Sequence, residues 1–229
     1  MSDTDGFIDE VNDELRRDRM MGTLKRYGWI AVAVVVLIVG GAAFSEFRKA
    51  QARAEAEALG DGITAALATE DAAAQLATLE ADDPTARAVL DLLTASEHLA
   101  AEDRAAAVET LNAVAVNGDA PQIYRQIAQF KALTLQADTL PADARAQGFE
   151  ALAAAGGTLR LLAQEQIALI AIEEDDTATA IERYQALLTD AEVTPDLQQR
   201  ALQVIVALGG EPDLGGAPTL DDTAPLDTE

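Results

Sequence analysis

The sequence predicts an all-α protein: a single N-terminal transmembrane helix followed by an α-solenoid of helical hairpins. Three observations carry this expectation. Ala, Leu, Asp and Glu dominate the 229 residues, and Ala, Leu and Glu are good helix formers. Residues 29–44 form an apolar run without one charged side chain. Downstream of it, apolar residues recur at helical spacing in segments that begin again about every 35–38 residues. Strand signals are nearly absent, because β-branched residues outside the apolar run never alternate cleanly with polar ones.

The first element to justify is the membrane helix. Residues 1–26 form a charged leader that is expected to stay in the cytoplasm. From Trp29 to Phe44 the chain reads WIAVAVVVLIVGGAAF, and the stretch from Tyr27 to Phe47 is interrupted only by Ser45 and Glu46 near its far end. At about 1.5 Å per residue, residues 27–47 span roughly 30 Å, the thickness of a bilayer core. Tyr27 and Trp29 mark one interface, and Phe44 and Phe47 the other. Gly41 and Ser45 form a small-xxx-small pair that lets another membrane helix approach closely. Arg16, Arg17, Arg19, Lys25 and Arg26 precede the span, whereas Arg48, Lys49 and Arg53 follow it. That bias points the N-terminus to the cytoplasm and the rest of the chain across the bilayer. A cleaved signal peptide is the competing reading, since Gly41–Ala43 offers small residues at cleavage spacing. Against it stands a long leader of mixed charge rather than a short basic region.

Beyond the span, helices are expected at 46–69, 71–81, 84–101, 103–116, 121–137, 141–155, 158–173, 176–189 and 195–208. Pro84, Pro121, Pro141 and Pro195 each precede an apolar-periodic run, and proline suits a first helical turn. Asp83 and Thr194 are good N-caps. Ala107, Val108, Leu111, Val114 and Ala115 share one helical face, and Leu197, Ala201, Val204, Ile205 and Leu208 share another. The segment from Leu159 to Ile172 is apolar on most sides and should be central. Gly118, Gly156–Gly157 and Gly209–Gly210 sit where helices should stop. Residues 48–208 are therefore read as one repeat domain. Residues 209–229 are rich in Gly, Pro and acid and are read as a disordered tail.

Composition narrows the function. The chain carries 16 Lys+Arg against 40 Asp+Glu, and such a surface repels nucleic acid, whose phosphates need cations. It suits solubility or a basic partner. With no Cys, disulfides, thiol catalysis and cysteine metal sites are excluded. One His, His98, cannot build an ordinary zinc site and is read as a packing or half-exposed residue. The run Glu173–Glu174–Asp175–Asp176 lacks the ligand spacing and central Gly of an EF-hand. It reads as a polar turn that puts acid at a helix N-terminus, where the dipole favours it. No phosphate loop is present. No catalytic residue, cofactor or metal is expected, so the protein should bind rather than react. No aromatic or arginine anchor for a partner stands out along the repeats.

The hairpins carry a family pattern. Ala95, Ala107, Leu111 and Val114 repeat as Ala168, Ala180, Tyr184 and Leu187. A small residue in the first helix faces an Ala in the second, and larger residues fill the groove beside them. This resembles the tetratricopeptide repeat. A middle copy matches at Phe149 and Leu152 but has Arg145 where Ala is expected. A generic helical bundle is the alternative. Three further features stand out: FIDEVNDELRRDR at Phe7–Arg19, KRYGW at Lys25–Trp29 leading into the span, and a terminal helix opened by Val193–Thr194–Pro195. With these, the full layout is similar to the YfgM-type ancillary subunit family of the SecYEG translocon, whose domain is shared with a cell-division coordinator. The resemblance implies a single-pass protein of the bacterial inner membrane with a periplasmic repeat domain. It implies a translocon-associated chaperone or adaptor, with the export channel, membrane-anchored chaperones and unfolded exported chains as partners. A tethered scaffold for cell-envelope or division machinery is the alternative on the same fold.

Overall fold

A computed structural model describes the backbone of residues 3–213, and the side chains of residues 29, 30 and 33–213. The described residues form helices and no strand. The chain divides into two compact units, residues 1–61 and 62–229.

Helix α1 runs without interruption over Asp3–Leu67. The leader, the expected span and the expected helix at 46–69 are thus one element, with no break at residue 47. The reason is local: no Pro or capping Gly interrupts the segment, and Gly40 and Gly41 lie on a helix with nothing within 4 Å of where a side chain would begin. Trp29, Ile30, Val34, Val35, Val36, Leu37, Ile38, Val39, Phe44 and Phe47 are all exposed. Among the described residues no helix is long and apolar enough to cross a membrane. The expected span of 27–47 is not wholly among them, because the side chains of Tyr27, Gly28, Ala31 and Val32 lie outside the described residues.

The second unit comprises residues 62–229. After the end of α1 come α2 (Ala72–Ala77), α3 (Pro84–Ala100), α4 (Arg104–Val116), α5 (Gln122–Leu135), α6 (Ala142–Ala155), α7 (Arg160–Glu173), α8 (Thr177–Leu188) and α9 (Pro195–Ala207). Helix α2 is shorter than the expected 71–81. It stops at Thr78, whose hydroxyl bonds back to the Gln75 carbonyl at 2.7 Å. Each helix from α2 onward packs on the next, and α3 also packs on α5. That is the contact pattern of stacked hairpins.

The helix ends explain why the hairpins repeat. Asp83, Asp103, Asp176 and Thr194 cap α3, α4, α8 and α9, each accepting from the backbone N–H three residues on. Helices α3 and α7 end without glycine. Glu102 (φ 61°) and Asp175 (φ 60°) take the left-handed conformation. In both turns the next residue's N–H reaches five residues back, from Asp103 to His98 at 2.8 Å and from Asp176 to Ala171 at 2.9 Å. One turn geometry thus recurs two repeats apart, and each time it delivers an Asp to the following cap.

Three hydrophobic clusters follow one another along the stack. Ala88, Ala95, Leu111, Val114, Ala120, Ala128 and Ala132 join α3, α4 and α5. Leu133, Phe149, Leu152, Ala163, Ile167 and Ile170 join α5, α6 and α7. Leu161, Ala168, Tyr184, Leu187, Leu188, Leu197, Ala201 and Ile205 join α7, α8 and α9. Phe130 meets Phe149 edge-on in the middle cluster, with ring centroids 5.4 Å apart. Such a pair adds about 0.5–1.5 kcal/mol beyond its burial.

The acidic end of the chain differs from the expectation at its start. Residues 209–213 were expected to begin a disordered tail. Instead, Gly210 lies against Ile205 and Ile181, and the Gln185 carboxamide brackets the Asp213 backbone, accepting from its N–H at 3.0 Å and donating to its carbonyl. Gly210 permits this close approach, since a Cβ there would sit 2.9 Å from Ile205 Cγ2. The remainder of the expected tail, 214–229, lies outside the described residues.

Candidate functional site: a groove across the last three helices

The eight repeat positions read from the sequence are all buried. Ala107, Ala168 and Ala180 are 0 % exposed, and Ala95, Leu111, Val114, Tyr184 and Leu187 also lie in the interior. Six of the eight fall in two clusters: Ala95, Leu111 and Val114 in the first, and Ala168, Tyr184 and Leu187 in the last. The Arg145 departure is accommodated inside the stack. Its guanidinium is buried, donates to both Glu173 carboxylate oxygens at 2.6 and 2.7 Å, and its Nε donates to the Leu140 carbonyl at 3.2 Å. A side chain that cannot sit at a small-residue contact reaches the end of the neighbouring helix instead. His98 is half-buried near the end of α3.

Side chains of the last three helices form an open groove of about 440 Å³. Glu165, Gln166 and Leu169 come from α7, Tyr184 from α8, and Arg200, Gln203 and Val204 from α9. Helical spacing places each set on one face: 165, 166 and 169 span one turn of α7, and 200, 203 and 204 one turn of α9. Ala168 of α7 and Ala180 of α8 are both fully buried, and the two helices pack on each other.

One end of the groove is fixed by an ion pair. Arg200 donates from Nε and a terminal nitrogen to the two Glu165 oxygens at 2.9 and 2.8 Å. The Arg200 side chain is 48 % exposed and that of Glu165 only 10 %, so the carboxylate is inside and the guanidinium covers it. Hydrogen bonding to Glu165 raises the Arg200 pKa above its ordinary value. The floor is Tyr184, 1 % exposed. Burial, with the Glu165 charge second, pushes its phenol up to about 12. The hydroxyl therefore keeps its proton at any physiological pH. It forms no hydrogen bond within the described residues, yet no buried side-chain polar atom there is left without a partner. The phenol oxygen must therefore open on the groove. The Gln166 and Gln203 carboxamides likewise make no hydrogen bond within the described residues.

A second ionic cluster braces the same end of the stack. Arg160, the first residue of α7, binds Asp190 through two nitrogens at 2.8 Å each and Glu192 at 2.6 Å. The Asp190 carboxyl is thereby held at about 2, below the ordinary carboxylate range. At the start of α8 the Asp176 carboxyl is also lowered, by its bonds to Thr179.

The groove presents hydrogen-bonding groups and apolar walls, with no nucleophile beside a base. Among the described residues no three His, Cys, Asp or Glu side chains gather closely enough to hold a metal. The sequence marked Tyr184 only as a packing residue and found no arginine or aromatic anchor; the fold brings Tyr184 and Arg200 together. A signal for this existed. Glu165 is the one acid in the interior of α7, and Arg200 follows it 35 residues later, one repeat period on. No protein family, curated protein or solved structure matches the chain.

Proposed function

We propose that this is a single-pass inner-membrane protein whose helical-repeat unit lies in the periplasm and binds other polypeptides beside the protein-export channel, as a chaperone or adaptor. The observation that carries the tether is the exposed apolar run of α1, where Trp29, Leu37 and Ile38 are 69, 75 and 65 % exposed. An apolar surface of this extent calls for cover by lipid or by another apolar surface. The run from Trp29 to Phe44 holds no charge, and the cations flanking it are biased to the N-terminal side. Stacked hairpins of this kind support a binding role, as does a groove that presents hydrogen-bonding and apolar groups beside one closed ion pair. The export channel as neighbour rests on the resemblance of the leader, span and terminal helix to the translocon-associated family.

A photo-crosslinking amino acid at Gly41 or Phe47 of the full chain tests this in intact cells. Capture of a translocon subunit or a membrane-anchored chaperone is expected. Capture of division or cell-wall proteins alone would replace the export reading with the scaffold reading. Protease added to spheroplasts should digest residues 54–229 and leave a small N-terminal fragment. A mature protein beginning near Ala43 would establish cleavage and remove the tether.

A further inference from the structure

The groove across α7, α8 and α9 combines polar and apolar groups. Its polar members are a phenol and two carboxamides, all without a hydrogen-bond partner in the described residues. Its apolar members are Leu169, 41 % exposed, and Val204, half-buried. The Tyr184 oxygen opens on the groove, where it can both donate and accept a hydrogen bond. Carboxamides each offer a donor and an acceptor, the pair of functions that every peptide unit also presents. The one ion pair in the groove is closed on itself, since both Glu165 oxygens are taken by Arg200. The site therefore does not select for a charged ligand group. Charge acts at longer range. The chain's net charge of −24 repels acidic segments and attracts neutral or basic ones.

From this geometry we infer that the groove holds an extended, apolar and neutral-to-basic segment of an unfolded polypeptide. Tyr184 and the carboxamides of Gln166 and Gln203 bond its backbone, and Leu169 and Val204 receive its side chains. The assignment rests on the proposed role as a binder of unfolded chains and adds the site and the recognition chemistry. Backbone recognition explains how one groove serves many sequences: peptide groups are common to all of them, and the apolar walls demand only a hydrophobic side chain. It also gives the groove-facing Tyr184 hydroxyl a task. Phenylalanine would fill the same volume, so packing alone does not call for the oxygen.

The test uses the full chain in nanodiscs and a fluorescent peptide of about ten residues, leucine alternating with serine, with lysine at both ends. Tyr184→Phe removes one oxygen and leaves the core filled. Gln166→Ala with Gln203→Ala removes both carboxamides from partly or fully exposed positions. Each is expected to weaken peptide binding by about 5–10-fold, the range for a lost hydrogen bond, with helicity and melting temperature unchanged. Leu169→Asp should abolish binding, and Val116→Ala, at an 83 % exposed site on α4, should leave it intact. The same peptide N-methylated at alternate amides should bind about as weakly as the double glutamine variant. Glutamate in place of the lysines should weaken binding at low salt and less so at high salt. If the unaltered chain binds the peptide and the Tyr184, glutamine and Leu169 variants bind it equally well, the groove assignment falls while the reading as a polypeptide binder stands. If the unaltered chain binds no peptide, both fall.

Discussion

Arg145 and Glu173 give a test of how the irregular middle hairpin is held. The guanidinium is 6 % exposed and the carboxylate 50 %. Simple counting of contacts would assign equal importance to both partners. Solvation predicts otherwise. Glu173→Ala leaves a guanidinium buried beside α7 with only the Leu140 carbonyl to bond, at 3.2 Å. Breaking a buried pair this way costs about 3–5 kcal/mol. Because Glu173 is half in water, and exposed charges are screened, the lower end near 3 kcal/mol is expected. Arg145→Met removes the charge and fills most of the volume, and Glu173 then turns to solvent. Replacing a buried ion by an apolar isostere is often neutral or stabilising, so the expected change is within about 1 kcal/mol. At about 2–4 °C per kcal/mol for a chain of this size, Glu173→Ala should lower the melting temperature by roughly 6–12 °C, and Arg145→Met should leave it nearly in place. Urea unfolding followed by circular dichroism measures both, and the double variant should resemble Arg145→Met alone. If Glu173→Ala costs less than Arg145→Met, the burial argument is wrong and the arginine acts through packing.

The other expectations concern single residues. Ala180→Glu or Ala107→Glu places a charge at a fully buried helix contact and should cost about 3–5 kcal/mol; Ala113→Glu, at an exposed position, should cost about 0.5 kcal/mol or less, and equal effects would refute the repeat register. The Asp190 pKa is lowered from 3.8 to about 2, so its stabilising effect is present above the unfolded value and fades as pH falls toward 2; Asp190→Asn should flatten the acid limb of stability between about pH 4 and 2. Glu102→Gly and Asp175→Gly relieve left-handed backbone at non-glycine residues and should each stabilise by about 0.5–1 kcal/mol, read as a rise in the urea midpoint; a loss would mean that these side chains hold the turn.

Much of the stack was legible in the sequence because its signals are local. Asp83 and Thr194 announce α3 and α9 as caps, and Ala107 and Ala180 announce close helix contacts by size alone. What stayed hidden was non-local. No local rule marks Glu102 or Asp175 as left-handed, since glycine is the usual sign; their conformation is fixed by bonds that return five residues. Arg145 read as a defect until its partner on α7 was visible. Tyr184 read as filler because a sequence shows a side chain's volume but not which way its oxygen faces. The ordered start of the acidic end escaped for the same reason: Gln185 and Asp213 are distant in sequence.

The packing between α5 and α6 is the sparsest of any two consecutive helices from α2 to α9. At that seam Gly148 stands where even a methyl group would press on Leu133, 2.7 Å away. The ion pair of Arg145 fastens α6 forward to α7 rather than back to α5. The stack is therefore built as two blocks, α2–α5 and α6–α9, joined where Phe130 and Leu133 of α5 meet the middle cluster. A chain of nearest-neighbour modules fails first at its weakest junction. Amide protons lining that seam should exchange before those deep in either block. Under a pulling load the protein would part there, as a folding rule parts at its joint, splitting the middle cluster and leaving the first and last clusters whole.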